Sequence, residues 1–245
     1  MNRRDIIKSA LGFLGLGGAA LAESTQSKET QKANNEISFK KEDQIYYLKN
    51  NELYLVETFA KTLQHKEVLI ARHWYKNGLL HRDEDLPAVE YPSDQINIKE
   101  WYKNGNKYRE NGLYTRILKT PNEEIQYWEN ERGLVHRDDD LPAIVHSNGD
   151  KEWWKNGKRH RNFGLPAIEK SDSKQWLFDG KRHRDNLPAI EYLNGDYDYW
   201  CDGKRHREDG PAIYRNHGEI TIWFKHGNPV DKYGDEPELE SKFLS

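Results

Sequence analysis

The chain has 245 residues, enough for one large domain or two small ones, with apolar residues at 35% and charged residues at 32%. So small an apolar share excludes a thick core of Leu and Val, while 12% aromatics supply rings for a thin, local one. The formal net charge is −3 with bases and acids interleaved throughout, so no basic block marks a nucleic-acid partner, and the single cysteine, Cys201, excludes an internal disulfide and any cysteine-based zinc site.

Residues 1–22 read as an export signal: a basic start, an apolar stretch from Ala10 to Ala22 too short to span a bilayer, and a small-x-small cleavage site at Ala20-Leu21-Ala22. The start, Asn2-Arg3-Arg4-Asp5-Ile6-Ile7-Lys8, resembles the twin-arginine motif, with Arg3 and Arg4 as the paired arginines. That resemblance implies a chain that crosses the membrane already folded and works in the periplasm or outside the cell. Losing Arg3, Arg4, Lys8 and Asp5 takes the net charge from −3 to −5. Residues 23–43 are polar with almost nothing to bury and are expected to be a flexible spacer, and residues 231–245 a polar tail.

Residues 44–230 carry a repeat. Tyr75-Lys76-Asn77-Gly78, Tyr102-Lys103-Asn104-Gly105, Trp154-Lys155-Asn156-Gly157, Leu177-Phe178-Asp179-Gly180, Trp200-Cys201-Asp202-Gly203 and Phe224-Lys225-His226-Gly227 are successive turn signals. With Asn51 as a degenerate first copy and Gly133 after an insertion, the spacings run 27, 27, 28, 24, 23, 23 and 24 residues. An apolar pair precedes each turn, as in Trp153-Trp154 and Tyr199-Trp200, and is expected to send one ring to each side of a strand. After the turn come a basic or apolar residue, a histidine and an arginine, then an acidic or polar link. A strand opening on Pro-Ala follows, as in Pro166-Ala167-Ile168, with a second turn such as Leu193-Asn194-Gly195-Asp196. The pattern predicts about seven tandem two-stranded hairpins of 23–28 residues, an all-β, elongated and twisted antiparallel sheet, with no helical period anywhere.

At Trp153-Trp154-Lys155-Asn156-Gly157-Lys158-Arg159-His160 and Trp200-Cys201-Asp202-Gly203-Lys204-Arg205-His206 the chain resembles MORN (membrane occupation and recognition nexus) repeats. The likeness covers roughly residues 46–230. It departs from the family after the histidine, where an arginine and an acid-rich link into Pro-Ala replace glycines, and at Asp198, where the family has a glycine. The resemblance implies a hairpin sheet acting as a scaffold, with a protein partner along one face. It also implies lipid headgroups, which a mildly acidic mature chain disfavours. Open edge strands would permit oligomers.

Two sets of residues are candidates for binding a partner. One is the histidines His81, His136, His160, His183 and His206. The other is the arginines that follow them, Arg82, Arg137, Arg161, Arg184 and Arg207, with Arg109 in the same position. Successive hairpins lie about 9–10 Å apart, too far for imidazoles of neighbouring repeats to share an ion at about 2 Å, so the histidines are expected to cap turns or bond a neighbour's backbone. The arginines are expected either to bridge to the nearby acids, such as Asp83, Asp138, Asp185 and Glu208, or to form a basic ridge for an anionic partner. No catalytic residues, metal or cofactor are expected, since any such grouping would be a copy repeated six times. Two further readings stand beside the binding surface. One is an immunity or antitoxin-like protein holding one toxic effector. The other is a periplasmic metal-binding protein or enzyme exported after its cofactor is inserted.

Overall fold

Asn-Gly and Asp-Gly pairs turn a chain because both central residues of a type I′ turn need positive φ, which Gly accepts freely and Asn or Asp more readily than other residues. The computed structural model describes residues 30–32 and 36–232, and each of the six turn signals has this conformation, from Asn77 (φ 52°) and Gly78 (72°) to His226 (50°) and Gly227 (94°). The expected export signal, with Arg3 and Arg4, and the C-terminal tail from residue 233 lie outside the described residues.

The fold is all-β and antiparallel, built of successive hairpins. It divides into two compact units that meet in sequence at Asn122 and Glu123. The first opens as a meander of long strands, Glu36–Lys41, Gln44–Lys49, Glu52–Lys61 and Glu67–Lys76, each paired with the next. Val89–Tyr91, Asn97–Glu100 and Arg116–Lys119 then extend it in that order. Glu36–Lys41 corrects the expected limits of the spacer: it is a strand in full register with Gln44–Lys49, and Phe39 stacks on Tyr46 at 5.1 Å, which is burial enough to order it.

In the second unit the sheet runs through Glu124–Tyr127, Ile144–His146, Lys151–Glu152, Ile168–Glu169, Ser173–Gln175, Ile190–Tyr192, Tyr197–Asp198, Ile213–Arg215 and Ile220–Lys225. One row of directly opposed residues crosses it as Ile144, Glu152, Ile168, Gln175, Ile190, Asp198 and Ile213. Behind the isoleucines the alanines Ala143, Ala167, Ala189 and Ala212 are fully enclosed at 0% exposure, which explains why so small a residue recurs after each proline.

Each full repeat proves to be two sheet strands plus a separate two-residue hairpin, an arm, such as Trp154–Lys155 paired with Lys158–Arg159. The expectation of one continuous strand through the aromatic pair holds for Glu67–Lys76 and Ile220–Lys225 and is corrected for the repeats of Trp101, Trp153, Trp176 and Tyr199, where the strand breaks at that residue. The first ring of the pair marks the residue where the chain leaves the sheet ladder for the arm ladder. Trp153 donates its backbone N–H to Ala167 in the sheet, and its carbonyl accepts from His160 in the arm. Trp74, Trp101, Trp128, Trp176 and Tyr199 each switch ladders in the same way. A large ring suits that corner because it fills the angle between the two ladders. Trp101, Trp153 and Trp176 are buried, and their indole N–H groups donate to carbonyls of the preceding link, those of Asp85, Asp140 and Gly164.

Candidate functional site

The histidines lock each arm to the next. In a two-residue turn the N–H groups of both central residues point outward, and here both find partners in the preceding repeat. Gly105, Gly157, Gly180, Gly203 and Gly227 donate to carbonyls of the preceding arm at 2.8–2.9 Å. The residue before each of these glycines donates to a histidine Nδ1 at 3.1–3.2 Å: Asn104 to His81, Asn156 to His136, Asp179 to His160, Asp202 to His183 and His226 to His206. On the other side of the ring, Nε2 faces Asp83, Asp138, Asn162, Asp185 or Glu208. A ring that accepts at Nδ1 carries its proton on Nε2 and donates it to that acid or amide.

This tautomer governs what the histidines can do chemically. Two groups bring potential ligand atoms within 4.8 Å of one another, His183 with Cys201 and Asp202, and His206 with Glu208 and His226. His226 stands in a turn rather than among the repeated histidines, yet its ring stacks on His206 at 4.2 Å, a proximity that repeat spacing alone does not reveal. In both groups the Nδ1 lone pair of the repeat histidine accepts from a backbone N–H, so that ring could ligate a cation only by breaking the lock between repeats. Cys201 adds no reactive thiol: burial and then the carboxylates of Asp202 and Asp185 push its pKa up, which keeps it protonated near neutral pH.

The arginines are tucked inward. Each guanidinium lies over the corner ring of its own repeat: Arg82 on Trp74 at 3.8 Å, Arg109 on Trp101 at 4.1 Å, Arg137 on Trp128 at 3.9 Å, Arg161 on Trp153 at 3.7 Å, Arg184 on Trp176 at 3.6 Å and Arg207 on Tyr199 at 4.2 Å. In Arg82, Arg137, Arg161, Arg184 and Arg207 the same group donates to the carbonyl of the proline closing the link, at 3.0–3.3 Å. Carboxylates complete the set. Asp85 and Asp140 reach Arg109 and Arg161 from the preceding repeat, while Glu169 and Glu191 reach Arg161 and Arg184 from the same one. Desolvation lowers the pKa of Arg82 and Arg137 from the usual guanidinium value without threatening their charge. The geometry is that of a clamp over a corner, and the basic ridge allowed by the sequence has its positive heads turned against rings and carbonyls.

In three of the repeats the second ring of the pair is covered in a similar way. Lys107 lies over Tyr102, Arg159 over Trp154 and Arg205 over Trp200, at 4.6–4.9 Å. Beneath them Glu152 accepts from both Trp154 Nε1 and Arg159 Nε at 2.9 Å. Asp198, one methylene shorter, turns instead to Arg215 at 2.6 Å. An open hollow of about 510 Å³ lies against the first arm, lined by Tyr54, Trp74, Tyr75 and Arg82 among others, and its lysines Lys49 and Lys76 are offset by Glu52 and Asp83.

What the repeats present outward is the link. Three of its acids are well exposed, Asp138 at 82%, Asp185 at 88% and Glu208 at 63%, while Asp85 and Asp140 turn back to arginines. Beside them stand leucines that sequence reasoning passed over, each directly before the Pro-Ala strand or its equivalent. Leu86 and Leu113 are in the first unit and Leu141, Leu165 and Leu187 in the second, all 40–49% exposed. Their fixed offset from proline was a signal available in the sequence. Phe163, on the link of its repeat, is 86% exposed. No helix among the described residues is long and apolar enough to cross a membrane. The scan against protein-family models gave no match, and neither did the search of curated proteins.

Proposed function

We propose that the protein is an exported, non-catalytic repeat protein of the MORN-like kind, working in the periplasm or at the cell surface as a binding or scaffolding surface for another protein. One observation carries this reading. The side chains best suited to chemistry, the histidines and arginines, are consumed in holding the repeats together, and the links are left to present exposed acids and, on five of them, a leucine before the next strand. Regular exposed apolar groups rimmed by charge are the mark of an interaction surface. The metal or enzyme reading has the occupied Nδ1 atoms against it.

The reading is tested by affinity capture from the native cell envelope with the full chain, beside the double substitution Asp185→Lys with Leu187→Ser. Both residues are exposed, and water can take the one bond lost, from His183 Nε2 to Asp185, so circular dichroism should not change. A specific protein captured by the wild type and lost with the variant is the expected outcome. Capture of nothing reproducible, or equal capture by both, defeats the proposal.

A further inference from the structure

One link of the second unit carries a residue that runs against local physics. The third residue after His81, His136, His160 and His183 has positive φ: Glu84 (61°), Asp139 (60°), Phe163 (61°) and Asn186 (56°), with Asn111 (58°) in the corresponding place after Tyr108. Asn and Asp tolerate this left-handed conformation, and a bulky ring does so only with strain. Phe163 combines that strain with 86% exposure, so its ring gains little from the fold that holds it there. It also sits in the middle of the leucine series: Leu165 follows on its own link, and Leu141 and Leu187 occupy the links on either side. Asp138 and Asp185 rim the neighbouring links, and the arginines of the three links are turned inward over Trp128, Trp153 and Trp176.

We infer that Phe163, Leu141, Leu165 and Leu187 form a docking stripe for a basic amphipathic helix of a partner protein. The inference deepens the protein-binding reading above and rests on it. Charge gives the sign: an acidic rim around apolar anchors selects lysine and arginine flanking apolar side chains. Spacing gives the form. Consecutive links are two strands apart, about 9–10 Å. A helix returns an apolar side chain to the same face after seven residues, about 10.5 Å along its axis. An extended strand repeats its face at about 6.7 or 13.4 Å and misses the leucines. A polyproline segment would match the step, but it docks between exposed aromatic rings, and the tryptophans here lie under guanidinium caps. Phe163 would be the anchor, with the leucines closing around it.

The test uses the full chain and a synthetic 18-residue helical peptide carrying leucine every seventh residue with lysine flanks, measured by calorimetry against a scrambled peptide of the same composition. The key variant is Phe163→Asn, which installs the residue found at the matching positions Asn111 and Asn186 and removes backbone strain, so loss of binding cannot be blamed on misfolding. The expected result is binding of the patterned peptide that weakens with salt, is at least tenfold weaker to the scrambled one, and falls at least tenfold in Phe163→Asn while the melting temperature holds or rises. Equal binding of both peptides, or no effect of Phe163→Asn, overturns the inference. So does self-association of the chain abolished by Phe163→Asn, which would assign the stripe to a second copy. If the native partner is captured through Asp185 and Leu187 while the peptide does not bind, the helix inference fails and the protein-binding reading stands.

Discussion

Arg184 shows what one side chain of this motif contributes. Its guanidinium lies 3.6 Å above the Trp176 ring while Nη1 donates to the carbonyl of Pro188 at 3.1 Å and to Glu191 at 2.6 Å. A lysine ammonium carries the same charge but cannot lie flat on a ring and satisfy two acceptors from one planar group. Arg184→Lys is therefore expected to cost about 1–2 kcal/mol through the lost stacking and hydrogen bond, measured by urea denaturation. A variant as stable as the parent would show that the charge alone matters and that the clamp is incidental. The sequence marks this arginine as recurrent and charged, yet it leaves open which way the head points, because four methylene-scale rotations separate the backbone from the guanidinium.

At the scale of the element, the arm is the unit that needs explaining. A two-residue hairpin alone is unstable in water, so each arm must be held by its neighbours. Gly203 and Asp202 do this by donating to the Arg182 carbonyl at 2.9 Å and to His183 Nδ1 at 3.2 Å. His183→Phe keeps the ring and its packing but removes the acceptor, leaving the Asp202 N–H without its protein partner. A loss of about 1 kcal/mol is expected, since this N–H stands at a turn where water reaches it in part. The corresponding readout is hydrogen exchange at Asp202, which should accelerate while Gly203 stays protected. Unchanged exchange at Asp202 would remove the histidine from its place in the lock. The type I′ turns of the arms were legible in the sequence, since Asn-Gly and Asp-Gly specify them locally. The corner was not legible: Trp153 and Trp154 alternate sides whether the strand runs on or changes ladders, and only the choice of hydrogen-bond partner distinguishes the two.

For the whole molecule, the packing is one of near neighbours. The two compact units each depend on contacts between adjacent repeats, so stability should be close to a sum of repeat and interface terms. Trp176 is buried at 6% exposure, with its indole N–H donating to the Gly164 carbonyl and the Arg184 guanidinium over its ring. Trp176→Ala should cost about 3–5 kcal/mol by opening a cavity at a corner. In a nearest-neighbour architecture the damage should show as rapid hydrogen exchange around Ile168, Leu177 and Ile190, with the long strands Glu52–Lys61 and Glu67–Lys76 of the first unit still protected. Global unfolding of both units together would contradict the neighbour-by-neighbour picture.

The sequence by itself determined the all-β class, the repeat length, the positions of the turns and the recurrence of ring, histidine and arginine. Each of these rests on local chemistry: positive φ at Asn-Gly and Asp-Gly, proline at a strand start, and a period that stacking must honour. Only the tertiary structure decided the direction in which those side chains are used. The histidines accept from a neighbour's backbone, the arginines close over tryptophan corners, and the outward face passes to the acids, the leucines before proline and Phe163. The reason is that a hydrogen-bond acceptor or a guanidinium has several partners within reach of its own segment, and the one it takes is fixed by the repeat that packs beside it.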